Sequence, residues 1–249
     1  MANHLIIANW KMYPTSWREA KRLLDSTRKT AEGLKRSTLV IAPPSIYLRE
    51  LRGAYKGSRI SFAAQNVYFE VSGAYTGEVS FVQAKDARAT YALVGHSERR
   101  AAGETNEETG RKVMALVGAG MTPVLCVGEK ERGKSGEHFA FVRQQLRDAL
   151  SGLRGGKITK VVVAYEPVWA IGGEKTMAPR DMHEMAIFIR KQLVEMHGEK
   201  AMDVKILYGG SVNEDNARAM IEEGDVVGFI VGHVSVEPHR FSTLLRSLE

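Results

Sequence analysis

Short apolar runs alternate along the chain with longer segments in which apolar residues recur at helical spacing. The runs predict eight buried strands, at residues 5–9, 38–42, 59–64, 91–95, 123–127, 161–165, 204–208 and 227–231. Helical spacing is clearest at residues 16–32, 107–119, 138–152, 179–197 and 214–222, and a last helix begins near residue 238. Because strand and helix alternate in units of roughly 30 residues, the pattern predicts a (β/α)8 TIM barrel rather than an open doubly wound sheet.

The composition is that of a globular protein without an internal boundary. Of 249 residues, 44% are hydrophobic and 26% are charged, which is enough to bury a substantial core. No Pro- or Ser-rich linker or long charge block interrupts the chain, so we expect one barrel domain over residues 1–249. No apolar stretch reaches the roughly 18 residues that cross a bilayer, and the N-terminal segment turns polar too early for a signal peptide. We therefore expect a cytoplasmic protein that does not bind membranes.

The net charge of +6 raises nucleic acid as a partner. Because Lys and Arg are interleaved with acidic residues rather than gathered in one arm, we expect no nucleic-acid interface. The basic surface is consistent with steering an anionic metabolite and equally with ordinary solubilising charge. The single cysteine, Cys126, excludes an internal disulfide, and its apolar neighbours indicate core packing.

The segment 161–173 carries the candidate base. Its β-branched run ends in Glu166, and because Pro167 cannot continue a strand's hydrogen-bond ladder, we expect this carboxylate at the strand's tip. The bulky residues Trp169 and Ile171, followed by glycines, are typical of a lid that closes over a ligand. The alternative is a carboxylate that only ends a strand and a tryptophan that only fills the surface.

Polar residues and glycines follow other predicted strands as well. In a barrel these strand ends meet on one rim, where active sites are assembled. The residues are Asn9 and Lys11 after the first strand, His96 after the fourth, Gly209, Gly210 and Ser211 after the seventh, and Gly232 after the eighth. Together with the candidate base they suit proton transfer beside the carbonyl of a small phosphorylated substrate, whose phosphate would bind backbone N–H groups of the glycine turns. Each turn taken singly is equally compatible with a tight connection.

Seven short motifs are spread over the whole chain: NWKM (9–12), AQN (64–66), GAYTGE (73–78), GHSERR (95–100), LCVGE (125–129), AYEPVWAIG (164–172) and YGGSV (208–212). Together and in this order they resemble the triosephosphate isomerase family. The resemblance implies an aldose–ketose isomerase of glycolysis and gluconeogenesis, which interconverts D-glyceraldehyde 3-phosphate and dihydroxyacetone phosphate without cofactor or metal.

The same resemblance implies a role for each candidate residue. Glu166 is expected to move a proton between two substrate carbons, and His96 to polarise the carbonyl as a neutral imidazole at a helix N-terminus, as known for this family. Lys11 and Asn9 are expected to stabilise the enediolate. The expected phosphate-binding residues are Gly172, Gly209, Gly210, Ser211, Gly232 and His233.

The sequence departs from the family in three places. After WAIG the family usually continues Thr-Gly, whereas this chain has Gly173 and Glu174. After the eighth strand the family usually has a glycine pair, whereas this chain has Gly232 and His233; the imidazole either crowds the phosphate site, points outward or adds a cation. The stretch after GHSERR is one residue short and lacks the usual aromatic, from which we expect altered packing.

Two other motifs do not support a competing function. Residues 128–135 match the GxxxxGK[ST] phosphate loop, but two glutamates within it would repel phosphate and Gly136 falls where a helix should run, so nucleotide hydrolysis is rejected. The pair His183 and Glu184 lacks the second histidine of a zinc motif.

The long segment 65–80 contains Tyr68, Phe69 and Tyr75. In the family this loop inserts into a neighbouring subunit, and Thr76 matches the residue at its tip, so we expect a homodimer; apolar residues on a protruding loop favour burial against a partner. Two alternatives to the triose substrate remain: isomerisation of a slightly larger sugar phosphate, and a noncatalytic barrel in which changing Glu166 has no measurable effect.

Overall fold

The structure, a computed structural model, describes residues 4–133, 135–172 and 176–249. Eight strands alternate with helices along these residues: β1 His4–Asn9, β2 Ser37–Ala42, β3 Ile60–Ala64, β4 Tyr91–Val94, β5 Thr122–Val127, β6 Val162–Tyr165, β7 Lys205–Tyr208 and β8 Gly228–Val231. Each strand pairs in parallel with the next, and β8 pairs with β1, so the sheet closes. The predicted (β/α)8 barrel is confirmed.

The helices form the outer layer. They are α1 Trp17–Ala31, α2 Ser45–Ala54, α3 Phe81–Asp86, α4 Ser97–Ala101, α5 Asn106–Gly118, α6 Glu137–Leu150, α7 Pro179–His197, α8 Ala217–Glu223 and α9 Pro238–Ser247. Helices α2 and α3 were not among the predicted ones. Helix α8 begins later than predicted, because Oδ1 of Asn213 accepts hydrogen bonds from the N–H groups of Asp215 and Asn216 and holds this stretch in a turn.

The core has an inner and an outer layer. Successive strand residues point to opposite faces of the sheet. In β1, Leu5 and Ile7 pack in a cluster inside the barrel, whereas Ile6 and Ala8 pack in the cluster that includes the helices. Because both faces of each strand are buried, the strands appear in the sequence as continuous apolar runs rather than as alternating ones.

Helix α5 begins with a reciprocal pair of hydrogen bonds. The side chain of Thr105 accepts a hydrogen bond of 3.1 Å from the N–H of Glu108, and the Glu108 carboxylate accepts one of 2.9 Å from the N–H of Thr105. This capping box satisfies N–H groups that have no partner inside the helix. It fixes the start of the helix that follows α4 on the rim.

Some expectations concern residues outside the described ranges. These are the departures at Gly173 and Glu174 and the lysine of the phosphate-loop match, Lys134. Within the described ranges, no helix combines the length and the apolar character that crossing a membrane requires.

Candidate active site

The carboxyl ends of the strands surround a cleft of about 390 Å³. All ten residues selected from the sequence line it: Asn9, Lys11, His96, Glu166, Gly172, Gly209, Gly210, Ser211, Gly232 and His233. The closed sheet brings them together because each ends a strand or follows one within a short loop, and all these strand ends lie on this rim. Their individual roles stay predictions.

Glu166 lies at the inner end of the cleft, directly after β6. Its N–H donates to the carbonyl of Val127 at 2.8 Å, which extends the β5–β6 pairing by one bond, and the residue is only 2% exposed. Oε2 accepts a hydrogen bond of 2.9 Å from the N–H of Ser97. Oε1 lies 3.3 Å from Nε2 of His96 and has no hydrogen-bond donor within the described residues. A buried carboxylate oxygen without a donor keeps its lone pairs available for a proton.

The ring of His96 is oriented by the start of α4. The residue caps this helix, and its Nδ1 accepts a hydrogen bond of 3.2 Å from the N–H of Glu98. A neutral imidazole has one acceptor nitrogen, so in that form Nε2 carries the hydrogen. Nδ2 of Asn9 lies 3.4 Å from Nε2, and because both atoms are then donors we interpret this approach as a contact rather than a hydrogen bond. Although Nε2 lies 3.3 Å from Oε1 of Glu166, the two atoms are not hydrogen-bonded, so the Nε2–H group can donate to an oxygen bound in the cleft.

Lys11 is held in an uncommon backbone conformation, with φ of 48°. Its N–H donates to Oδ1 of Asn9 at 3.1 Å, and its carbonyl accepts 2.8 Å from Nε2 of Gln65. Its ammonium group pairs with Glu98 at 2.5 Å, and the side chain is 20% exposed. Strained residues held by their surroundings cluster at functional sites. Lys11 therefore differs from a freely solvated surface lysine, whose backbone and ammonium group would have no such partners.

The glycine turn after β7 makes room for the candidate base. A Cβ atom on Gly209 would lie 2.8 Å from Cγ of Glu166, and one on Gly210 would lie 2.2 Å from the hydroxyl of Tyr208. A side chain at Gly209 would collide with the candidate base, and one at Gly210 would collide with Tyr208. The next residue, Ser211, donates from both its N–H and its hydroxyl to the carbonyl of Ala170, at 3.1 and 2.7 Å.

Glu129 anchors the lid and was missed by the sequence reasoning. Its buried carboxylate accepts hydrogen bonds from the hydroxyl of Tyr165 at 2.8 and 2.9 Å and from Nε1 of Trp169 at 2.8 Å. Burial, followed by the adjacent carboxylate, raises the pKa of Tyr165, so its hydroxyl stays a donor. An acidic residue just after an apolar strand was the signal that selected Glu166, and the same signal applies to Glu129 at the end of β5.

The imidazole of His233 lies on the outer rim of the cleft. Its side chain is 63% exposed, and its ring centroid is 5.0 Å from that of Tyr13. Nε2 lies 3.2 Å from a carboxylate oxygen of Glu237, which also accepts 3.2 Å from Arg240. Tyr13 and Arg240 line the cleft too and had not been selected from the sequence. The ring therefore joins the loop after β8 to the loop after β1.

The comparison with known proteins identifies the family. The model of the triosephosphate isomerase family matches residues 4–248. The chain belongs to this family. It is 39% identical over 251 residues to the triosephosphate isomerase of Roseiflexus sp. (strain RS-1), covering 100% of this chain and 98% of the relative. It is 40% identical over 248 residues to that of Caldanaerobacter subterraneus subsp. tengcongensis, covering 98% and 99%. The resemblance drawn from the seven motifs is thus confirmed.

The phosphate-loop match has a structural explanation within a triosephosphate isomerase barrel. The N–H of Gly128 donates to Oε1 of Gln145 at 2.8 Å, and a Cβ atom at this glycine would lie 1.8 Å from the carbonyl oxygen of Glu166. The glycine is therefore required for close packing of two strand ends. In residues 4–133, 135–172 and 176–249, no three His, Cys, Asp or Glu side chains converge as metal ligands.

Proposed function

We propose that this protein interconverts D-glyceraldehyde 3-phosphate and dihydroxyacetone phosphate through an enediolate, as its membership of the triosephosphate isomerase family implies. The observation that carries the proposal is the buried Glu166 carboxylate, whose Oε1 lacks a donor within the described residues and lies 3.3 Å from Nε2 of His96. A base beside a hydrogen-bond donor is what proton transfer next to a carbonyl requires.

The reaction moves one proton between neighbouring carbons. Oε1 of Glu166 takes the proton from the carbon beside the carbonyl, and the electron pair moves onto the carbonyl oxygen to give the enediolate. Nε2–H of His96 donates to that oxygen, while the Lys11 ammonium and the Asn9 amide stabilise the negative charge. A second proton passes from the neighbouring hydroxyl to the former carbonyl oxygen by way of Nε2 of His96, and Glu166 returns its proton to the carbon that carried that oxygen, which completes the exchange of aldehyde and ketone.

Phosphate binding is linked to the lid in this proposal. The expected phosphate donors are backbone N–H groups of the turns that contain Gly172, Ser211 and Gly232, together with those of the short helical turn that starts at His233. Ser211 now donates to the carbonyl of Ala170. A phosphate that accepts from Ser211 would take the place of this carbonyl and remove one contact that holds the lid, so that binding favours lid movement.

The chain is further proposed to be a single-domain, cytoplasmic homodimer that works in glycolysis and gluconeogenesis. The support for the dimer is the segment 65–80, which carries the exposed apolar residues Val71 and Tyr75. The rings of Tyr68 and Phe69 stack at 4.2 Å, which stiffens the segment. Thr76 is proposed to lie near the active site of the partner.

The test is isomerisation of glyceraldehyde 3-phosphate by the purified protein, coupled to reduction of dihydroxyacetone phosphate. We expect Glu166→Gln to lower kcat by about 10²–10⁴-fold, because an amide cannot take the proton, with KM nearly unchanged. Glu50→Gln, a change at an exposed carboxylate of α2, is the matched control and should keep full activity.

Two outcomes would contradict the proposal. A folded wild-type protein that turns over a four-carbon sugar phosphate but no triose phosphate would make the substrate larger than proposed. Equal activities of the wild type and Glu166→Gln would show that this carboxylate is not the base.

A further inference from the structure

A second cavity, of about 380 Å³, lies on the other side of Glu166. We call it the rear cavity; it lies between the end of α4, helix α6 and the tips of β5 and β6. Its wall includes Arg100, Val127, Phe141 and Val168. Among the described residues that line the two spaces, Glu166 is the one that they share. The volume falls in the range of about 300–1,000 Å³ that small-molecule sites occupy.

The rear cavity coincides with a departure from the family in sequence. The stretch after GHSERR is one residue short and has Ala101 and Ala102 where an aromatic residue is usual. Ala101, the last residue of α4, lines the cavity opening. The expected change in packing is therefore an open space, because small side chains leave unfilled the volume beside Val127 and Phe141.

The wall of the rear cavity combines apolar surface with a partly buried cation, Arg100. Phe141 is 48% exposed although it is aromatic, so its ring is available to a ligand. The guanidinium of Arg100 donates to three acceptors, the carbonyl oxygens of Gly95 at 2.7 Å and Cys126 at 3.4 Å and Oδ1 of Asn106 at 2.6 Å. None of these three acceptors carries a charge.

Burial costs Arg100 part of its hydration. Desolvation lowers the pKa of the guanidinium, with nearby carboxylates, Glu104 first, acting in the opposite direction. A second cation, Lys130, also lines the cavity and is exposed. An anion in the cavity would offset the desolvation of Arg100 through charge-assisted hydrogen bonds.

We propose that the rear cavity binds a small organic anion with a flat apolar body and one carboxylate group. The body packs against Phe141 and Val168, and the carboxylate binds Arg100. Because Glu166 and Val168 are part of the wall, an occupant touches both the candidate base and the first residue of the lid turn. It therefore regulates turnover from outside the cleft.

Binding is tested with 2-naphthoate and its uncharged counterpart 2-naphthamide, by titration calorimetry in saturating inorganic phosphate, which occupies the anion site of the cleft. We expect 2-naphthoate to bind once per chain and 2-naphthamide at least about tenfold more weakly, because the amide lacks the charge-assisted bond to Arg100. Equal binding of the two compounds, or no binding of either, would overturn the proposal.

Two matched variants locate the binding. Ala101→Trp fills the opening and should abolish 2-naphthoate binding, whereas Ala102→Trp adds the same side chain to an exposed neighbour that does not line the cavity and should leave binding unchanged. Ser211→Asp, which places a negative charge in the cleft, should also leave it unchanged. Binding that survives Ala101→Trp, or that is seen only with dissociated chains because a second copy covers the opening, would contradict the assignment.

A kinetic readout tests the regulatory part, which rests on the proposed function. We expect 2-naphthoate to lower kcat for glyceraldehyde 3-phosphate without changing KM. Competition with the substrate would place the compound in the cleft and overturn the regulatory part. The calorimetric measurements stand without isomerase activity, so failure of the proposed function and failure of this inference are distinguishable.

Discussion

Gly128 sets the distance between the ends of β5 and β6. Its N–H group is used by Gln145, and its missing side chain lets the backbone of Glu166 approach. The position of the candidate base thus depends on a residue that has no side chain of its own. Adding a single methyl group at this glycine should therefore displace the Glu166 carboxylate.

We predict that Gly128→Ala destabilises the protein and lowers activity. The added Cβ would lie 1.8 Å from the carbonyl oxygen of Glu166, and relieving such overlap costs about 1–3 kcal/mol of the free energy of unfolding. Gly118→Ala is the matched control. Outside its chain neighbours and the backbone of its own helix, no described atom lies within 4 Å of a Cβ at that glycine, the last residue of α5, so a gain of about 0.4–1 kcal/mol is expected. Urea unfolding and kcat measure both, and equal stabilities of the two variants would contradict the prediction.

Two single residues show what could not be predicted from the sequence. Glu166 and Glu129 carry the same signal, an acid after an apolar run, and their place on the rim follows from strand order. What they do there depends on the neighbours that folding supplies. Glu129 has its carboxylate bonded to Tyr165 and Trp169, whereas Oε1 of Glu166 has no donor within the described residues. Hydrogen-bond occupancy of this kind is a property of three-dimensional packing, so the sequence alone does not separate the two carboxylates.

At the scale of elements, the capping box of α5 makes stability depend on pH. The backbone N–H of Thr105 lowers the pKa of Glu108, with the Thr105 hydroxyl acting in the same direction. A carboxylate whose pKa is lower in the folded state contributes stability above its unfolded pKa, about 4.3, and loses it as the pH falls through the folded value.

We therefore predict that Glu108→Gln is less stable than the wild type at pH 7 and that this difference shrinks below about pH 4.3, where the wild-type carboxylate also becomes neutral. Urea unfolding at a series of pH values measures it. Glu107→Gln changes an exposed carboxylate in the same helical turn and serves as control. A difference that stays constant with pH would contradict the assignment to the capping bond.

Every described helix of 13 or more residues was predicted from the sequence, whereas the shorter α2 and α3 were missed. Periodicity needs about three turns to emerge, and α3 has only six residues. The start of α3 does carry a local signal, because Ser80 and Gln83 form a capping box whose spacing is visible in the sequence. The predicted start of α8 was wrong because the Asn213 side chain accepts a hydrogen bond from a backbone N–H group just before the helix.

At the scale of the whole molecule, the proposed dimer depends on the segment 65–80. We predict that Thr76→Arg shifts the protein toward monomers and lowers kcat, because a long charged side chain at the tip would have to be buried without a partner. Sedimentation velocity and the coupled assay measure the two effects. Ser58→Arg, an exposed change before β3 at the opposite end of the barrel, should alter neither. An unaltered dimer in Thr76→Arg would remove this segment from the interface.

The architecture itself was the most predictable feature. Alternating strands and helices with both strand faces apolar leave few arrangements, and closure of eight strands satisfies every sheet edge. The existence of the rear cavity could not be predicted from the sequence. A missing aromatic side chain is visible in the sequence, but whether neighbours collapse into its place depends on how rigidly Phe141 and Val127 are held.

Cys126 can report how often the closed barrel opens. Its side chain belongs to the cluster inside the barrel, and burial raises the pKa of the thiol well above its ordinary value, so the folded protein presents no reactive thiolate. A thiol reagent reaches the sulfur only when strands separate. This is the chain's single cysteine. The rate at which a thiol reagent modifies it in native buffer therefore measures the rate of barrel opening, without any introduced label.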